Sequence, residues 1–226
     1  MAKGQTTMNG RTMLQILDTL YDKTLSGVPG VSVPVEQMAQ EYADSNPVVE
    51  HGVRAMLNRQ VAKCTASGVI TGIGGFATLP LSIPANVSSI LYMQMRMIAC
   101  AAYMAGRDLS NVGTQALVYA CLAGISGGEL EARASVTSSQ KLKIKAASRL
   151  AKKLGEKGVL NLVKLIPVVG AGVNGGVDFL QSRTVADRAY RMFFEGGYAY
   201  EDEPSLKDKG MKMYEDVKQL VLRKNR

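Results

Sequence analysis

The feature that most limits what this chain can fold into is a long stretch without charge. Residues 64–95 contain no Asp, Glu, Lys or Arg, and residues 64–128 contain only Arg96, Arg107 and Asp108. A segment so poor in charge belongs inside a protein or against lipid. It is not one clean membrane span. A spanning helix needs about 20 continuous apolar residues, and Gly68, Gly72, Gly74, Gly75, Pro80 and Pro84 interrupt this one. Residues 84–106 are long enough, but Arg96 sits near their middle, where insertion at a bilayer centre costs about 2.5–3.5 kcal/mol. A second apolar segment, residues 159–182, carries only Lys164 and Asp178 and is broken by Pro167. Both segments are expected to be buried helices or helices lying against a membrane.

The flanking sequence has the 3.6-residue period of amphipathic helices. Residues 11–25 place Met13, Leu17, Leu20, Tyr21 and Thr24 on one face. Residues 34–43 read as a short helix opened by Ser32 and Pro34 at cap and first-turn positions. Asn46 and Pro47 begin another, reaching about residue 67, with Val49, Val53, Met56, Leu57, Gln60 and Val61 inward. Further helices are predicted over residues 84–106, 109–128, 140–158 and 170–195. A basic helix follows at residues 205–223. In residues 140–158, Leu142, Ala146, Leu150 and Leu154 line one face, while Lys141, Lys145, Arg149 and Lys152 gather on the other. No run alternates with period two. The expected fold is all-α: a single-domain bundle of seven or eight helices with two glycine- and proline-broken apolar segments.

Charge is distributed unevenly. The net charge is +8, yet residues 1–63 are neutral and positive charge concentrates in residues 129–157 and 204–226, on either side of the second apolar segment. Such blocks attract phosphate, on nucleic acid or on anionic lipid. A solvated face is the default reading of Lys141, Lys145, Arg149, Lys152 and Lys153; among binding partners lipid leads, because that helix also has a continuous apolar face. Nucleic acid is disfavoured, since aromatics are not interleaved with the basic residues. With twelve methionines, no tryptophan and four phenylalanines, the core is expected to be adaptable rather than aromatic.

Catalytic and metal chemistry find little to build on. His51 is the only histidine, and it reads as a surface or capping residue. The three cysteines, Cys64, Cys100 and Cys121, are widely spaced among apolar residues, a pattern of buried thiols in a reducing compartment rather than of disulfides or a metal site. Glu129 and Glu131 are too close in sequence to oppose each other on a helix. Gly170, Gly172 and Gly175 form a G-x-G-x-x-G pattern, but Pro167 precedes it and no alternation of strands and helices surrounds it, so a dinucleotide site is rejected. No cofactor and no metal are expected. Gly72, Gly74 and Gly75 are instead expected at a break between helices, packed against the start of the helix at Pro84. The N-terminus opens no apolar leader, and the chain reads as cytoplasmic.

Arg96 is the sharpest candidate. A guanidinium in an uncharged helix needs a partner, either an internal carboxylate (Asp108, Asp178 or Glu129) or the phosphate or carboxylate of an amphipathic ligand. Arg96, Tyr92, Asp178 and the glycines Gly72, Gly74 and Gly75 are accordingly the candidate ligand-binding residues.

Several of these residues also carry a resemblance to a known family. Gly68, Gly72, Gly74 and Gly75, then Leu79-Pro80 and Ile83-Pro84, lead into Gln94, Arg96 and Ala99, with Tyr103 and Gly106-Arg107-Asp108 following. A second block runs from Lys164 through Pro167, Gly170 and Gly172, and the helix over residues 186–193 completes it. Over about residues 48–194 the chain resembles the EcsC protein family. The resemblance implies a helical bacterial protein associated with membranes, with a membrane transport machine as a partner and no catalytic residues to carry over. The expected function is therefore a lipid- or membrane-binding helical protein, peripheral at the inner face of the cell membrane. The alternatives are an enzyme acting on a lipid or apolar substrate, and a membrane-damaging effector.

Overall fold

The computed structural model describes residues 9–65, 85–125, 136–156 and 173–196. These residues form seven helices: α1 (Gly10–Ser26), α2 (Val35–Asp44), α3 (Val49–Thr65), α4 (Ala85–Met104), α5 (Val112–Ala123), α6 (Val136–Glu156) and α7 (Val173–Phe194). Among the described residues there is no strand, and the only β-type pairing is an isolated bridge between Val28 and Ser32. The protein is an all-α bundle. The glycines Gly72, Gly74 and Gly75, the pair Glu129 and Glu131, Gly170, Gly172 and the basic segment 205–223 lie outside the described residues. Gly175 lies within α7, and no described strand precedes it.

α4 is the centre of the bundle and packs on α1, α2, α3, α5 and α7. Its sequence explains why. From Met97 to Ala102 every side chain is buried, and Ala99, Cys100, Ala101 and Ala102 are small enough to admit neighbours from several directions. A helix apolar all round has no solvent face to present and goes to the interior. α5 behaves in the same way from Val118 to Ala123. No described helix is long and apolar enough to cross a membrane. Buried side chains of all seven helices form one connected core, and each buried Leu, Ile or Met contributes about 1.5–3 kcal/mol relative to exposure.

Local signals set the helix ends. Asn9 caps α1, its side-chain oxygen accepting from Thr12 N at 2.8 Å, and Asn111 caps α5 by accepting from Gly113 N at 2.7 Å. α5 stops at Ala123 rather than at the expected Gly127-Gly128. Gly124 adopts left-handed φ 70°, its N–H bonds Cys121 O and the next N–H bonds Ala120 O. That Schellman pair satisfies the last carbonyls of α5 and ends it. Ser32 does not cap α2 as expected; Pro34 holds the cap position and Ser32 turns back onto α4. On α3, Val53, Met56, Leu57, Gln60 and Val61 are buried, but Val49 in the first turn is 43% exposed.

α1 reverses into α2 at Gly27, whose φ is 75°. A Cβ there would lie 2.6 Å from Ser32 O and 2.8 Å from Pro34 N, both backbone atoms. Gly30 has a similar φ of 73° but open space around it. Gly30→Ala is expected to cost about 1 kcal/mol, from the left-handed backbone alone. Gly27→Ala adds a backbone clash and is expected to cost roughly 3 kcal/mol or more. Urea unfolding of the two variants checks this; equal midpoints would mean the loop does not fold back as described.

Candidate functional site

Two groups of polar residues stand out against the apolar interior, one around Arg96 and one on α6.

Arg96 is 3% exposed. Its Nη1 donates to Val33 O at 2.7 Å, with Tyr92 Oη at 3.5 Å, and its Nη2 lies 3.4 Å from the Met38 sulfur. Tyr92, one helical turn before it, is fully buried, and its hydroxyl shares a 2.6 Å hydrogen bond with Ser32 Oγ. The two candidate ligand residues thus meet, but what they hold is the α1–α2 loop. Among the described residues no carboxylate meets Arg96. Asp108 is exposed, and its carboxylate accepts from both the hydroxyl and the backbone N–H of Ser110. Those bonds, the hydroxyl's first, hold its carboxyl below the usual range. Glu129 and the side chain of Asp178 lie outside the described residues. A hydrogen bond between a charged donor and a carbonyl contributes about 1.5–3 kcal/mol, so the guanidinium finds in Val33 O part of what a carboxylate would supply. One turn further on, burial pushes the Cys100 thiol up to about 12, against the pull of Arg96. All three cysteines are buried and none is in a disulfide, and His51 is exposed on α3.

On α6, Lys141, Lys145, Lys152 and Lys153 are exposed and Arg149 is half-buried. Ala146 and Leu150 are buried and Leu142 and Leu154 half-buried, as the period predicts. Lys153 also reaches the end of α5, donating to Ala123 O at 3.0 Å, where a cation offsets the negative end of the helix dipole. Between Val136 and Lys153 the helix contains no acidic residue.

Sequence reasoning did not single out Lys143, which is 7% exposed. Its ammonium lies 2.8 Å from Asp18 Oδ1 on α1 and donates to Gln115 Oε1 on α5 at 2.9 Å. Tyr119 Oη donates to the same Asp18 oxygen at 2.8 Å and accepts from Gln115 Nε2 at 3.0 Å. Tyr21 packs edge-on against Tyr119, with ring centroids 5.9 Å apart. A signal for this cluster existed. Lys143 precedes Ala146, Ala147 and Leu150 by three, four and seven residues, and so lies on the apolar stripe. The converse exception is Ile144, whose side chain is 53% exposed beside Lys145.

Chemically, the Asp18–Lys143–Gln115–Tyr119 cluster closes on itself, each group bonding another member. Burial first, then the charge of Asp18 and the bond to it, push the Tyr119 phenol far above its ordinary value. Burial, then the charge of Asp108, does the same to Tyr21. Comparison of the chain with protein-family models, with curated proteins and with solved structures finds no match.

The raised phenols have a consequence with a definite sign. Below a pH of about 10, the ordinary tyrosine value, folded and unfolded chains both keep these protons. Above it the unfolded chain releases protons that the folded one retains, so stability is lost as pH rises. Unfolding free energies measured at about pH 9 and about pH 11 should show that fall, and Tyr119→Phe should reduce it. At neutral pH the same variant should lose about 1.5–3 kcal/mol, for a hydroxyl bonded to a charged carboxylate. Identical pH dependence in variant and wild type would contradict the cluster.

Proposed function

We propose that this chain is a peripheral membrane-binding protein that meets anionic lipid through the outward face of α6. The observation that carries the reading is the composition of that face. Lys141, Lys145 and Lys152 project opposite the buried stripe, with Arg149 beside them and no acidic residue among them. Each basic residue near an anionic surface contributes on the order of 1 kcal/mol at modest salt. Contact at the surface also fits the absence of a membrane-crossing helix among the described residues. Membership of the EcsC family, a place at the inner face of the cell membrane and an accessory role beside a transport machine belong to the same proposal, supported by the sequence resemblance. The Arg96 and Tyr92 pair enters it only as the brace of the α1–α2 loop.

Sedimentation with vesicles containing phosphatidylserine is the test. Wild type should bind at low salt and release as salt rises, because the Debye length falls to about 3 Å at 1 M. The Lys141→Glu, Lys145→Glu, Arg149→Glu, Lys152→Glu variant should lose binding while its helical circular dichroism is retained. Wild-type protein that ignores anionic vesicles even at low salt would overturn the proposal.

A further inference from the structure

Ile144 departs from the pattern of its own helix, and the departure has a direction. At 53% it is the most exposed large apolar side chain among the described residues. The other exposed ones, Val31, Val33, Val48, Val49 and Tyr103, belong to the α1–α2 and α2–α3 turns, the start of α3 and the end of α4. Ile144 alone shares a face with the basic residues. Lys141 precedes it by three positions, Lys145 follows it, and at 100° per residue Ile144 lies about 60° around the helix from Lys141. Meanwhile Lys143, its neighbour in sequence, is inside and paired with Asp18 at 2.8 Å. Turning α6 about its axis to cover Ile144 would carry Lys143 away from Asp18 and Gln115, so the ion pair keeps the isoleucine out.

We infer that Ile144 is a lipid-inserting side chain: when the basic face of α6 meets an anionic membrane, Ile144 passes the headgroup phosphates and reaches the acyl boundary. The inference rests on the surface-binding reading above and adds an orientation to it, with α6 lying flat and Ile144 down. The charges decide the occupant. An apolar protrusion beside Lys141, at the edge of the basic face, matches a surface whose phosphates lie just above hydrocarbon, the arrangement that interfacial helices use. Lysine stems extend upward to phosphate while the isoleucine goes deeper. Removing the still-exposed half of an isoleucine from water strengthens partitioning by about fivefold.

The chain has no tryptophan, so Ile144→Trp places a single reporter at this position. Its emission should shift to the blue on phosphatidylserine vesicles and be quenched by brominated acyl chains. Ile144→Ser should partition about fivefold more weakly than wild type at the same salt, with an unchanged dependence on salt because no charge is altered. If wild type sediments with the vesicles while the Ile144→Trp emission stays unshifted and unquenched, insertion is wrong and surface attachment stands. If wild type does not sediment, both fall.

Discussion

The ion pair between Lys143 of α6 and Asp18 of α1 sets the rotation of α6, and with it everything the outer surface of that helix presents. Burying an ammonium is unfavourable unless its hydrogen bonds are satisfied. Here Asp18 and Gln115 accept from it, and Tyr119 completes the ring of contacts from α5. Asp18 is itself 41% exposed, so water shares in solvating the pair and lowers the penalty. Three helices are thereby locked in register by polar groups at the rim of an apolar core. Apolar packing alone would tolerate a small turn of α6 that brought Ile144 inward; the directional bonds of Lys143 do not.

The interior makes a different use of polarity. α4 and α5 provide little except apolar and small side chains, which let the surrounding helices approach but specify orientation weakly. Arg96 and Tyr92 supply the missing specificity. By holding Val33 O and Ser32 Oγ they attach the α1–α2 loop to the central helix, and the left-handed Gly27 allows the chain to fold back that closely. A charge inside a charge-free helix thus serves the fold itself, through a backbone carbonyl.

How much of this was legible in the sequence follows from the range of each interaction. The seven helices and most of the core were, since Met13, Leu17 and Leu20 or Ala146 and Leu150 repeat at the helical period and caps such as Asn9 act within one turn. The basic face of α6 was legible for the same reason. The early stop of α5 was missed because Gly124 and the later Gly127-Gly128 look alike until one of them adopts the left-handed cap. Arg96 was correctly marked as needing a partner, but Val33 O carries no side-chain signature and lies in a loop far back in the chain. Lys143 was absorbed into a basic run whose other members face water, although its spacing to Ala146, Ala147 and Leu150 placed it on the buried side.

Lys143 points in while Lys141 and Lys145 point out, and amine acetylation of the native protein, mapped by mass spectrometry, reads that directly. Lys141, Lys145 and Lys152 should be modified under native conditions, whereas Lys143 should be modified only once the protein is unfolded. Native Lys143 reacting as readily as Lys141 and Lys145 would show that α6 does not dock through Asp18, and the orientation of its basic face would go with it.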